Sequence, residues 1–107
     1  MQSNTIVTIT LITVKVTVEP SDVETVGDAV TLICSISDVT ESMRLVWVNS
    51  NGKIAEEKTF TRRNKEDKSL SLIVWKGDRG RRKWTCILFH QNMPQVSVPY
   101  YREFRGK

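Results

Sequence analysis

The sequence predicts an all-β protein, an antiparallel sandwich or barrel of about seven strands. Three observations predict it. Short runs rich in Val, Ile and Thr alternate apolar and polar residues with period two. Turn residues separate these runs at intervals of roughly 8–12 residues. No segment sustains the 3.6-residue apolar period of an amphipathic helix over three turns.

The elements follow in chain order. "TIVTITLITVKVTV" (5–18) is dense in β-branched residues, with Ile12, Val14, Val16 and Val18 at period two, and "EPSD" (19–22) breaks it. "VETVGDAVTLICSI" places Val30, Leu32, Cys34 and Ile36 on one face and Thr31, Ile33 and Ser35 on the other. After the polar "DVTES", "MRLVWV" (43–48) is a strand, and "NSNG" (49–52) supplies an Asn-Gly hairpin turn. "KIAEEKTF" is a short, more polar strand, followed by the charged "TRRNKEDK" (61–68). "SLSLIVW" (69–75) turns Leu70, Leu72 and Val74 inward, which leaves Trp75 to anchor outside or to cover the sandwich end. "WTCILFH" (84–90) is a strand, "QNMPQ" a turn, and "VSVPYY" (96–101) the last strand. The strand assignments divide the chain into an N-terminal extension or junction strand (1–12), one domain (13–102) and a tail (103–107).

Composition limits the class. A chain of 107 residues is one domain and buries roughly 65% of its unfolded surface. Hydrophobic residues at 39% and charged residues at 26% are ordinary for a globular domain. No run of 18 apolar residues occurs, so no membrane span is expected. The first residues lack the cationic start and apolar run of a signal peptide, and Met1 reads as an expression start. Charge is uneven. Residues 1–57 carry three Lys/Arg and eight Asp/Glu, and residues 58–107 carry thirteen and four, so the two parts hold −5 and +9. The basic side is either a solvated loop region or an anion-binding face centred on Arg79, Arg81, Arg82 and Lys83.

Cys34 and Cys86 lie in strongly patterned strands on the apolar parity, flanked by Leu32 and Ile36 and by Trp84 and Leu88. Two inward cysteines on separate strands, with a tryptophan on an intervening strand, suggest a bridge pinning two sheets across a core. Such a bridge stabilises by about 4 kcal/mol for a loop of this size and needs an oxidising compartment.

"GDAVTLICSI" around the first Cys, "LVWV" thirteen residues later, "SLSLIV" and "DRGRRKWTC" together resemble the immunoglobulin superfamily over residues 14–100. The resemblance implies an immunoglobulin-like antiparallel β-sandwich of about seven strands with an inter-sheet disulfide. Cys34 matches the strand B cysteine, Trp47 the strand C core tryptophan and Cys86 the strand F cysteine. With Trp84 and Leu72, Trp47 is expected in the core. The spacing is closer to the C2 or I sets than to variable-type domains, and "WTC" after "DRG" resembles CD4-like or LAG-3-like lymphocyte receptors. Two features depart from the family. Trp84 holds the place of the corner tyrosine, with an indole N–H in place of its hydroxyl, and the Asp-Gly-to-Cys spacing is two residues longer.

Chemistry is sparse. His90 is the one histidine and has no evident Cys or Asp partner, both cysteines sit in apolar strands, and Gly77 and Gly80 have no helix after them to form a phosphate loop. Glu56-Glu57 and Glu66-Asp67 read as solubilising charges. No enzyme, metal or cofactor is expected. Nucleic acid is disfavoured because acidic residues interleave with the cations and Trp84 has core parity.

Parity gives the functional expectation. Strands C and F are neighbours in this family, so with Trp47 and Cys86 inward the outer face carries Arg44, Val46, Val48, Ile87 and Phe89. A solvated outer face is usually polar, so this cluster points to an interface. A register bulge, or a face covered by the N-terminal segment, is the alternative. The reading is a non-catalytic protein-recognition domain of a cell-surface immune or adhesion receptor, extracellular, from a single-pass plasma-membrane protein. Its partner is another receptor or ligand ectodomain, an adjacent domain, or a second copy. The alternatives are an intracellular I-type scaffold domain and a module binding a polyanion such as a heparan-like glycan.

Overall fold

The computed structural model describes residues 12–19, 29–40, 42–61, 67–75 and 83–101. Among them are seven strands and no helix: β1 (Val14–Glu19), β2 (Ala29–Ile36), β3 (Met43–Val48), β4 (Ile54–Phe60), β5 (Ser69–Trp75), β6 (Lys83–His90) and β7 (Met93–Tyr101). They form two antiparallel sheets, one in the order β1-β2-β5 and the other β4-β3-β6-β7. The fold is an immunoglobulin-like sandwich.

The two-residue alternation read from the sequence becomes the core. Val30, Leu32, Cys34 and Ile36 from β2 and Leu70, Leu72 and Val74 from β5 face Met43, Leu45 and Trp47 from β3 and Trp84, Cys86 and Leu88 from β6. Ile12, Val14, Val16 and Val18 pack against this cluster half-buried, because β1 is an edge strand with a neighbour on one side only. Burying a side chain of this size stabilises by about 1.5–3 kcal/mol, so the Leu32, Leu45 and Trp47 positions, all 0% exposed, are the costly ones to empty. Cys34 and Cys86 are bonded and join the sheets through the centre of the core. The Trp47 indole N–H donates to the Leu70 carbonyl at 3.0 Å, a second tie between the layers.

Two expectations need correction. The "NSNG" turn does not use two left-handed residues. Gly52 N–H donates to the Asn49 carbonyl at 2.9 Å, and of these residues Gly52 has positive φ, +81°. This is a type I turn followed by a glycine bulge, the longer hairpin solution. Asn49 Oδ1 accepts from Asn51 N–H at 2.9 Å and Lys53 N–H at 3.0 Å, which is why this polar side chain is buried. The last strand begins at Met93, not Val96, because Gln91 and Asn92 alone make the turn, both left-handed. Pro94 is tolerated in β7 because that strand is an edge with a register shift opposite Leu88/Phe89. The Trp84 indole N–H is buried with no partner among the described residues, and the E–F corner that it would bond lies outside them.

The predicted E–F turn carrying Arg79, Arg81 and Arg82 lies outside the described residues, as do residues 1–11 of the N-terminal extension and the 103–107 tail.

Candidate protein-binding face

The outer surface of the four-stranded sheet is assembled by register. Arg44 lies opposite Phe89 and Val46 opposite Ile87, with Val48 opposite Thr85. On the β4 side, Arg44 pairs with Thr59, Val46 with Glu57 and Val48 with Ile54. On the β7 side, Phe89 pairs with Pro94, Ile87 with Ser97 and Thr85 with Pro99, while Lys83 pairs with Tyr101. The five residues expected on this face are therefore brought together: Arg44, Val46 and Val48 from β3, Ile87 and Phe89 from β6. Around them lie Ile54, Pro94, Pro99 and Tyr101, with Ile54 55% and Tyr101 64% exposed.

One of the five differs from expectation. Val46 is 1% exposed although it is absent from the core cluster. It sits on an interior strand, opposite Glu57 on one side and Ile87 on the other. Val46 thus forms the base of a small apolar layer on the outside of the sheet, and its neighbours present that layer to solvent.

The charges on this face are held in place. The Arg44 guanidinium lies 4.7 Å from the centre of the Phe89 ring. Its Nη1 is 3.7 Å from Glu57 Oε2, within ion-pair range but beyond a hydrogen bond. Glu57 is therefore part of this face and not merely a solubilising charge. Lys83, the described member of the predicted basic cluster, is exposed at the start of β6, with its ammonium 5.7 Å from the Tyr101 ring.

The opposite outer face, on β1, β2 and β5, is mostly hydroxyl and charged: Lys15, Thr17, Glu19, Thr31, Ser35 and Ser71. Ile33 interrupts it on β2, and Ile73 and Trp75 at the β5 edge, 56% and 57% exposed, so Trp75 takes the external position. His90 is half-buried, between Met43 and Met93 in register.

The sequence predicted all four strands of this sheet but named face residues on β3 and β6 alone. Ile54, Glu57 and Thr59 were invisible because nothing in a polar strand says which sheet it joins. Pro94 fell in the predicted turn because the start of β7 was misplaced, while Pro99 and Tyr101 lay in the predicted strand without being assigned to a face. The Arg44–Thr59 and Arg44–Phe89 register pairs are what bring Ser42, Gln91 and Asn92 to one end of the face.

No family model matches the sequence, and no curated protein matches it. Among solved structures, the fold is similar to one described as the crystal structure of MHC-like MILL2. The match has a TM-score of 0.56 and 24% sequence identity, over 88% of this chain and 41% of that one. The chain thus spans less than half of that neighbour's length, and the likeness is one of fold.

Proposed function

We propose that this chain is a non-catalytic, extracellular protein-recognition domain of an immune or adhesion receptor, and that it docks its partner through the outer face of the β4-β3-β6-β7 sheet. The observation that carries the reading is the apolar layer over Val46, on the solvent side of the sheet, next to Val48, Ile54 and Ile87. Apolar side chains gathered on an outer sheet face, rimmed by a few charges, are the composition of an interface and not of a solvated surface. The Cys34–Cys86 bridge supports an oxidising location. The fold similarity to an MHC-like protein supports an immune setting. The fourth strand on the β3 sheet supports the C2-like assignment, and with it the resemblance to CD4-like or LAG-3-like receptors. A partner class of receptor or ligand ectodomains follows from this reading.

The test is a binding screen of the multivalent domain against receptor ectodomains, run with two variants. Ile87→Asp on the proposed face should abolish any interaction found. Ser71→Asp on the opposite face should leave it intact. Binding indifferent to Ile87→Asp, or a protein retained only on heparin and released by salt, contradicts the reading and favours the polyanion alternative.

A further inference from the structure

At one end of the docking face is a cleft of about 480 Å³, lined by Ser42, Met43, Arg44, Thr59, Phe89, Gln91 and Asn92. We propose that it is a carboxylate-binding site that receives an Asp or Glu side chain projecting from the protein partner. The proposal rests on the reading of the face as a recognition surface and specifies the chemistry at one point on it.

Arg44 carries the argument. Its head is positioned by the Phe89 ring beneath it, 4.7 Å from guanidinium carbon to ring centre. Stacking occupies a face of the guanidinium and leaves its N–H edge for in-plane acceptors, and the side chain, 34% exposed, lines the cleft. Those donors are under-used. Nε is buried and has no hydrogen-bond partner among the described residues. The contact from Nη1 to Glu57 is 3.7 Å, too long for a charge-assisted hydrogen bond. A small shift of the side chain that uncovers Nε lets an arriving acceptor satisfy a donor that is now unpaired.

The rim is built to stay open. Ser42, Gln91 and Asn92 are the three described non-glycine residues with positive φ, at 62°, 54° and 65°. Gln91 N–H donates to the Ser42 carbonyl at 2.9 Å and fastens the two loops to each other. Left-handed backbone at three such residues persists where surrounding contacts hold it, and it gathers here around one cleft. Beside the apolar Met43 and Phe89, the Ser42 and Thr59 hydroxyls and the Gln91 and Asn92 amides are neutral donors suited to a second oxygen of an anion.

The chemistry selects a carboxylate. One planar fork matches two carboxylate oxygens. A dianionic phosphate would meet a single guanidinium and the negative Glu57 close behind it. The cleft is continuous with the apolar face through the Arg44 and Val46 positions on β3. A partner lying on that face can therefore insert one acidic side chain, its methylenes against the Phe89 ring and its carboxylate on the fork.

The experiment is an NMR titration of the isotope-labelled protein, reading the arginine Nε–Hε signals and the Gln91 and Asn92 amides. The probe is the capped amino acid N-acetyl-glutamate methylamide, with its glutamine analogue and sodium chloride as matched controls. The expected result is a saturable shift of the Arg44 Nε–Hε signal with the glutamate probe alone. Arg44→Lys keeps the charge and should abolish saturation. Glu57→Gln removes the loose internal competitor and should tighten binding several-fold. In the ectodomain screen, Arg44→Lys should weaken the interaction about 30-fold or more, as for an arginine hot spot. A shift that chloride or the glutamine probe reproduces, one unchanged in Arg44→Lys, or saturation by an acidic sugar but not by the glutamate probe overturns the proposal. A silent titration beside an ectodomain interaction that Ile87→Asp destroys sinks the carboxylate site and leaves the recognition reading standing.

Discussion

The indole N–H of Trp47, on the four-stranded sheet, donates to the carbonyl of Leu70, on the three-stranded sheet, at 3.0 Å. This polar bond crosses an otherwise apolar core beside the Cys34–Cys86 bridge, and Trp47 is 0% exposed. The tryptophan therefore contributes both volume and register between the layers.

Trp47→Phe removes the donor and leaves a void, and should destabilise the domain by about 2–4 kcal/mol in urea unfolding. Trp75→Ser should change stability by no more than about 0.5 kcal/mol, since Trp75 is external. Equal costs for the two would contradict the division between core and surface tryptophans.

The disulfide closes a separation of 52 residues. The double variant Cys34→Ala/Cys86→Ala should lose about 4 kcal/mol. Intact mass of the non-reduced protein should be short of the two thiol hydrogens. Two readily alkylated thiols in protein purified from an oxidising compartment would contradict the bridge.

Gly52 has φ +81° and open space around its missing Cβ. Gly52→Ala should therefore cost about 1–2 kcal/mol through backbone conformation alone, with no steric share. Gly52→Asn should cost less, because Asn visits the left-handed region more readily. Thermal midpoints of the three proteins check the order.

Asp67 accepts hydrogen bonds from Lys58 at 2.7 Å and from the Ser69 hydroxyl at 3.0 Å. The Lys58 bond first, then the Ser69 bond, holds its carboxyl below the usual range. Its contribution to stability is present above the unfolded value of about 3.9 and fades as pH falls through the lowered folded value. Asp67→Asn should therefore lower the urea midpoint at pH 6 and converge with the wild type in stronger acid. The carboxylate is exposed, so the effect should be about 0.5 kcal/mol and shrink in high salt.

What the sequence revealed follows from where period two is sharp. On β2, β3, β5 and β6 one face is wholly buried, so Leu32, Trp47, Leu72 and Cys86 declare their direction by their neighbours, and the core was legible. The outer face was legible only where strand pairing could be borrowed from a family resemblance. Glu57 and Ile54 lie on β4, where the burial pattern carries almost no alternation, so their sheet was not readable. The burial of Val46 was also hidden, because its cross-strand neighbours Glu57 and Ile87 are known only from the register of β3 with β4 and β6. The cleft beside Arg44 joins Ser42 to Gln91 and Asn92, positions far apart in sequence that the β3–β6 register alone makes neighbours.

The most direct measurement is a methyl saturation-transfer map of the labelled domain bound to the partner found in the ectodomain screen. Transfer should reach the methyls of Val48, Ile54 and Ile87 and spare those of Ile33 and Ile73. Strong transfer to Ile33 and Ile73, with the Ile54 and Ile87 methyls silent, would place the partner on the other sheet.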